Sequence, residues 1–275
     1  MESTIVFIDA AYLGKIASHF GDGRPINYDL NKFSRLLAKE CSLWCREIYF
    51  YTAPPYQSPN PTVDEKLRRQ NHDHFINMIS SIPGFIVRQG RCQKKGEGEY
   101  GQKGVDSLIV KDLVTRLSKG DINKVILIAC DTDFAHILEE IRSEYKIHVI
   151  LAYFNDYVRG SKFAMSNHIL SACDESLLIS KKHFLNSSFE YKIISKIHKN
   201  GIDSPVTHFV TKKKPYTVEQ LILKIKKKNN KFYVIVNGEK KYLEITKSTE
   251  GVDSLIIDVE GTEKSHFEDL PLFED

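Results

Sequence analysis

Short apolar runs alternate with amphipathic stretches along the first 180 residues of the chain. The runs fall at residues 4–8, 47–51, 85–88, 124–129 and 148–153. The longest, Val125-Ile126-Leu127-Ile128-Ala129, has no polar position, the pattern of a strand covered on both faces. Residues 31–40, 64–80, 106–117 and 134–145 carry helical periodicity. This alternation predicts an α/β fold of βαβ units, with a mainly parallel sheet, helices on both faces and right-handed crossovers. Residues 51–61, rich in Pro, Ser and Asn, read as a loop. Residues 93–103, with Gly96, Gly98 and Gly101 among charges, read as a mobile loop running into the helix beyond Gly104.

The pattern changes near residue 180. A helix at 217–228 turns Leu221, Ile222 and Ile225 inward and its lysines outward. Strands at 231–236 and 240–246 flank Asn237-Gly238, a hairpin turn signal, and a further strand is expected at 254–259. Residues 186–248 hold fourteen lysines against five acids, a balance of +9, whereas residues 249–275 carry −8. That polarisation marks a second module. The expected division is 1–182 for the α/β domain and 183–275 for a small α+β module with an acidic tail. Gly104-Val105-Asp106-Ser107-Leu108 recurs as Gly251-Val252-Asp253-Ser254-Leu255, but nothing around the two copies matches, so the repeat reads as chance.

Composition narrows the class only slightly. With 275 residues, 41% hydrophobic and 27% charged, the chain is ordinary globular material with a mild net charge of +3. No apolar run approaches the roughly 18 residues of a membrane helix. The N-terminus lacks the basic and apolar regions of a secretory signal. Cys41, Cys45, Cys92, Cys130 and Cys173 are odd in number and lack paired metal-ligand spacing, which predicts reduced thiols and a cytoplasmic location.

The chemistry concentrates in acids at the ends of predicted elements. Asp9 follows the first strand, Asp106 opens a helix, and Asp131-Thr132-Asp133 ends the long apolar run. Singly, each reads best as a turn residue or helix cap. Jointly, three segments deliver carboxylates to the edge where open parallel sheets bind ligands. Like charges ~4 Å apart repel by about 4 kcal/mol at an effective dielectric of 20. Such a cluster persists by protonating or by holding a hard cation, Mg²⁺ or Mn²⁺. A cation held there can activate water for displacement at phosphorus.

The order of these motifs resembles a family. Phe7-Ile8-Asp9-Ala10-Ala11-Tyr12-Leu13, Tyr49-Phe50-Tyr51, Lys103-Gly104-Val105-Asp106 with Asp112 six residues on, and Cys130-Asp131-Thr132-Asp133-Phe134 together resemble a NYN domain of the LabA-like branch of PIN-like nucleases. The resemblance covers roughly residues 3–180. It implies a three-layer α/β/α sandwich and a Mg²⁺- or Mn²⁺-dependent ribonuclease whose metal-site and catalytic acids are Asp9, Asp106, Asp131 and Asp133. Asp112 matches a further acidic position, although it also reads as a solvated helix residue. The family pattern Asp-Gly-x-Asn after the first strand is here Asp9-Ala10-Ala11-Tyr12.

Other residues are weighed against blander roles. Thr132 is a candidate for a phosphate or metal-bound water, and equally a helix cap. Arg88, Arg91, Lys94, Lys95 and Lys103 could grip phosphates or be solvated. Arg68, Arg69 and His136 read as surface residues. His72 and His74, two apart on a helix, do not share a face. Tyr12 and Tyr51 are candidates for base stacking, whereas Phe134 reads as core. Lys213 and Lys227, in lysine clusters interleaved with Phe209, Tyr216, Phe232 and Tyr233, suit single-stranded nucleic acid. The leading expectation is a metal-dependent endoribonuclease acting on RNA, single-stranded by preference, with no membrane partner. The alternative is a non-cleaving NYN protein that binds RNA or a protein. A sugar-nucleotide transferase with an Asp-x-Asp motif leaves Asp9 and Asp106 unexplained. The C-terminal module could serve as an RNA grip or join two chains as a homodimer.

Overall fold

The computed structural model describes residues 1–257 except 95, 97–98, 159–160, 162, 164, 199–205, 229, 237 and 248–252, and the side chains of 198, 227–228 and 236 also lie outside it. The chain forms two compact units. One holds residues 1–25 and 30–183, the other residues 26–29 and 184–275.

The first unit runs β1 (Glu2–Asp9), α1 (Ala10–Phe20), α2 (Leu30–Glu40), β2 (Leu43–Thr52), α3 (Val63–Ser80), β3 (Phe85–Gln89), β4 (Arg91–Lys94), β5 (Tyr100–Lys103), α4 (Val105–Leu117), β6 (Lys124–Ile128), α5 (Ala135–Glu144), β7 (His148–Tyr153), α6 (Asn167–Ser171) and β8 (Glu175–Leu178), and α7 (Lys181–Asn186) crosses the unit boundary. Six strands form one sheet in the order β3-β2-β1-β6-β7-β8. Every neighbouring pair in it is parallel. Ile5, Val6, Phe7 and Ile8 are all 0% exposed, so β1 is covered on both faces, as its apolar run predicts. Ile5, Phe7, Val125 and Leu127 pack with Ile109 and Leu113 of α4 and Leu138 of α5. The intervening Val6, Ile8, Ile126 and Ile128 are also buried on the other face, where α1 and α2 lie against β1 and β2. This is the expected α/β fold.

One expectation for this unit is corrected. Residues 93–103 are not a structureless loop, because β4 and β5 pair antiparallel from Arg91↔Lys103 to Lys94↔Tyr100. The side chains on both strands are exposed or half-buried. The hairpin therefore lacks the apolar alternation by which a strand is recognised. Lys95 and Gly98 lie outside the described residues.

The second unit contains β9 (Phe189–His198), β10 (Val206–Thr211), β11 (Pro215–Thr217), α8 (Val218–Lys228), β12 (Asn230–Val236), β13 (Glu239–Lys247) and β14 (Asp253–Ile257). The sheet order is β11-β10-β9-β12-β13-β14, with β9 and β12 parallel and the other pairs antiparallel. Leu221 of α8 packs with Phe209, Phe232, Val234 and Leu243 into this unit's core. The hairpin closes at Val236↔Glu239, and Gly238 takes φ +83, which only glycine adopts cheaply. Asn237, residues 258–259 of the expected last strand, the first two residues of the second Gly-Val-Asp-Ser-Leu copy and most of the acidic tail lie outside the described residues.

Helix α4 is tied to the sheet by charge as well as by packing. Arg116, 6% exposed, donates to both Glu47 oxygens at 2.9 and 2.7 Å and to Asp121 at 2.6 Å. The guanidinium holds Glu47 below the usual carboxylate range and Asp121 at about 2. Carboxylates with lowered folded pKa values add stability above their unfolded values, and that stability is lost as pH falls through the folded ones. Arg116→Ala is therefore expected to lower stability by about 2 kcal/mol at pH 7. The loss is less than the ~3–5 of a fully buried pair because Asp121 is 40% exposed. Urea denaturation at pH 7 and below pH 4 checks this, and the deficit should shrink in acid.

Candidate active site

The sheet's winding fixes where a site can form. From β1 the chain proceeds outward through β2 and β3, and from β6 it proceeds outward the other way through β7 and β8. β1 and β6 are neighbours, so their successors diverge and leave a crevice beyond their carboxyl ends. Asp9 is the last residue of β1. Asp131 and Asp133 follow β6, on either side of the start of a 3-10 turn over Thr132–Phe134. Phe134 and Ala135 are 1% and 0% exposed and anchor that turn in the core, while Asp131, Thr132 and Asp133 stay exposed.

Asp9 does two jobs. Its Oδ1 accepts from the N–H groups of Ala11 at 2.8 Å and Tyr12 at 3.3 Å, capping α1. Burial raises its carboxyl above the usual range and the charge on Asp106 adds to the rise, against the two N–H groups and Lys15. Asp131 likewise caps its turn by accepting from Asp133 N–H at 3.0 Å. For these two the capping role is present, but it occupies one oxygen and leaves the other.

Asp106 has no capping role to account for it. The cap residue of α4 is Gly104, at φ +81 and without a side-chain hydrogen bond. Although exposed, Asp106 is raised by loss of water, then by the charges of Asp131 and Asp133. Asp106 is thus coupled by charge to Asp9 and to Asp131 and Asp133. All four acids on three segments are brought within electrostatic reach.

Gly90, which the sequence reading passed over, sets the position of the third segment. A Cβ there would lie 2.7 Å from the Lys103 carbonyl and 2.9 Å from a Val105 methyl. Its N–H donates to Thr52 O at 2.8 Å. Only glycine lets the strand leaving β3 pass so close to the backbone that starts α4. The signal was a lone glycine between two short strands.

Asp112 is not solvated. It is 6% exposed, and its Oδ2 accepts from Arg88 Nε at 2.8 Å and the Tyr51 hydroxyl at 3.2 Å. It lies on the inward stripe of α4 with Ile109, Leu113 and Arg116. Arg88 is thereby held by Asp112 and lies 5.8 Å from the centroid of the Tyr49 ring. Tyr51 is 0% exposed and offers no face for a base. Tyr12, expected among the substrate contacts, is 2% exposed. Its hydroxyl accepts from Phe154 N–H at 2.9 Å and donates to Phe154 O at 3.3 Å. The family's Asn position is thus filled by a core residue that ties α1 to the segment after β7.

The remaining candidates divide by location. Arg91, Lys94 and Lys103 are exposed on the β4–β5 hairpin that feeds Asp106. Thr132 caps nothing with its side chain; the turn's cap is Asp131. His136 is exposed, with its Nδ1 3.9 Å from Glu139, and Arg68 and Arg69 pair with Asp64 and Asp73 on α3. His72 meets Gln89 at 3.2 Å. Lys213 belongs to the second unit, its Nζ 5.5 Å from the Tyr191 centroid. The side chain of Lys227 lies outside the described residues.

The donor set suits a hard cation. Its oxygens are all carboxylate, and the carboxyls of Asp9 and Asp106 are raised first by burial and then by neighbouring acid charge, the part that a divalent ion would relieve. Among the described residues no three His, Cys, Asp or Glu side chains close to ligand geometry. Cys130 offers no competing chemistry: burial and Asp9 push its thiol up to about 11, so it is protonated and a poor nucleophile at neutral pH.

A carboxyl raised on folding costs stability once ionised. The fold is favoured most below the unfolded value near 3.8 and loses stability as pH rises through the raised folded value. Asp9→Asn keeps an oxygen for the α1 cap and removes the charge. Its melting temperature in chelator is expected to match or exceed that of the parent at pH 7, with any gain gone below pH 4. Asp9→Ala loses the cap and should cost about 1 kcal/mol below pH 4, and less at pH 7, where relief of the buried charge offsets part of the loss.

Comparison with known proteins adds three findings. No curated protein matches the chain. A solved structure of a protein of unknown function from Vibrio parahaemolyticus RIMD 2210633 is similar at 20% identity and a TM-score of 0.44, covering 66% of this chain and 95% of that one. The model of the NYN domain matches residues 3–186, a span that takes in β1, the Asp106 helix and the Asp131–Asp133 turn alike. The chain therefore belongs to the NYN domain family.

Proposed function

We propose that the first unit is a metal-dependent endoribonuclease that hydrolyses phosphodiester bonds of single-stranded RNA. One observation carries this reading: Asp9, Asp106, Asp131 and Asp133 come from three segments at the β1–β6 crevice, and Asp106 is charge-coupled to the other three. Membership of a nuclease-like family supports it. Mg²⁺ or Mn²⁺, when held by these acids, supplies Lewis acidity and a neutralising charge for attack at phosphorus. The chain's own residues orient that centre. Ala11 and Tyr12 N–H groups fix the Asp9 carboxylate, Asp133 N–H fixes Asp131, and the Gly104 turn sets the first turn of α4. Arg91, Lys94 and Lys103, exposed on the hairpin, are suited to phosphates of the incoming strand. Cys130, protonated at neutral pH, has no part as a nucleophile in the scheme.

A second reading, RNA or protein binding without cleavage, draws on Tyr12. Its hydroxyl is turned into the Phe154 backbone, where family members carry an Asn free to serve the site. The two readings separate in one assay. Purified chain with a single-stranded RNA and Mn²⁺ is expected to give chelator-sensitive cleavage. Asp131→Asn/Asp133→Asn should lower the rate on the order of 10²-fold or more. Cleavage that persists in the double variant or in chelator overturns the nuclease assignment. RNA binding without product at any metal concentration selects the second reading.

A further inference from the structure

The second unit carries a surface that the catalytic reading does not use. Helix α8 covers one face of its sheet through Leu221, against Phe232, Val234 and Leu243. Strand register fixes what the opposite face displays. Tyr233 stands beside Tyr242 on one side and Lys192 on the other, and Ile235 stands beside Lys240. Side chains on one face of a strand alternate with those on the other, so these residues share the face away from α8. Ile235 is 41% exposed and Ile256, paired with Glu244 on the same face, 39%. The face is therefore open.

The aromatic rings on it are met by flexible cations. The Tyr233 and Tyr242 rings lie edge to face with centroids 6.0 Å apart. Lys240 Nζ lies 4.5 Å from the Tyr233 centroid and Lys231 Nζ 5.8 Å from that of Tyr242. Beside Tyr233 is a cavity of about 300 Å³, bordered also by Lys192, Lys212 and Lys213. Glu190 on its rim is paired with Lys240 at 3.0 Å. Among the described residues no ion pair engages Lys192, Lys212 or Lys213, and Lys213 reaches the cavity from its edge, its Nζ 5.5 Å from the centroid of Tyr191, a ring stacked with Phe232.

We propose that this face binds single-stranded nucleic acid, with a base stacked on Tyr233 and phosphates held by Lys192, Lys212 and Lys213. An exposed cation–π contact is weaker than base–aromatic stacking. An arriving base can therefore displace Lys240 from the ring and leave that ammonium for a phosphate. An acidic peptide would use the lysines but not the ring. A duplex buries its base faces and would gain nothing from Tyr233. The proposal goes beyond the nuclease reading, since the surface belongs to the second unit and requires no cleavage.

The test is fluorescence anisotropy of the full chain in chelator with a labelled single-stranded oligouridylate. Log affinity is expected to fall with log salt. Lys192→Ser/Lys212→Ser/Lys213→Ser should flatten that slope by about 2, at roughly 0.7 per phosphate contact. Tyr233→Leu should weaken binding about tenfold and leave the slope unchanged. The titration is made in chelator and reads binding alone, which separates failure here from failure of the nuclease reading. An unchanged slope in the lysine variant, duplex bound as tightly as single strand, or polyglutamate bound as tightly as oligouridylate overturns the proposal. Because Tyr233→Leu alters a half-buried residue, its circular dichroism is compared with the parent. If it is misfolded, the lysine variant decides.

Discussion

Parallel strands end together at one edge, and at a switch point nothing from the sheet itself closes the gap between the two strands that diverge. In the first unit that gap is filled with negative charge. Asp9 closes β1, Asp131 and Asp133 follow β6, and the β4–β5 hairpin delivers Asp106 from outside the sheet. Ionising the buried Asp9 beside Asp106 costs free energy, as the raised carboxyls of both residues record. Backbone N–H donors and Lys15 offset only part of it. The arrangement persists because the rest of the unit holds these segments in place.

That support is specific. The Arg116 network fixes α4 to β2 at the far end of the helix. Asp112 fixes its middle through Arg88 and Tyr51, and Gly90 permits the close passage that starts it. Asp106 thus sits on a helix restrained at three levels by groups that never touch the site. Tyr12 does comparable work for α1. It draws the helix that follows Asp9 onto the Phe154 backbone, and so exchanges a polar site residue for a core anchor.

Strands β1, β6 and β7 were legible because burial on both faces leaves only apolar side chains, as in 4–8 and 124–129, whereas the mostly exposed β8 was not. Asp9, Asp131 and Asp133 were legible as strand-end residues, which parallel topology puts at one edge, and Asp106 as a residue opening a helix. Asp112 and Tyr12 were misread for a shared reason. A polar group on an inward helix stripe looks like a solvated or functional one until its partner is known, and Arg88, Tyr51 and Phe154 are distant in sequence. Their stripe positions, beside Ile109 and Leu113 and beside Leu13 and Ile16, were the available signal. The β4–β5 hairpin gave no period because neither strand has an apolar face. In the second unit, β9 and β10 mix Ser, Thr, Lys and His with apolar residues, which hid them as well.

The central claim is that the four carboxylates act as one cation site. Titration of Mn²⁺ into the metal-free chain, followed by the loss of the free-ion electron paramagnetic resonance signal, tests it without any substrate. The account predicts saturable uptake of Mn²⁺ that is displaced by Mg²⁺ and abolished by Asp106→Asn, which removes a charge without removing a helix cap. Uptake unchanged by Asp106→Asn, or no uptake by the folded parent at millimolar Mn²⁺, would contradict it.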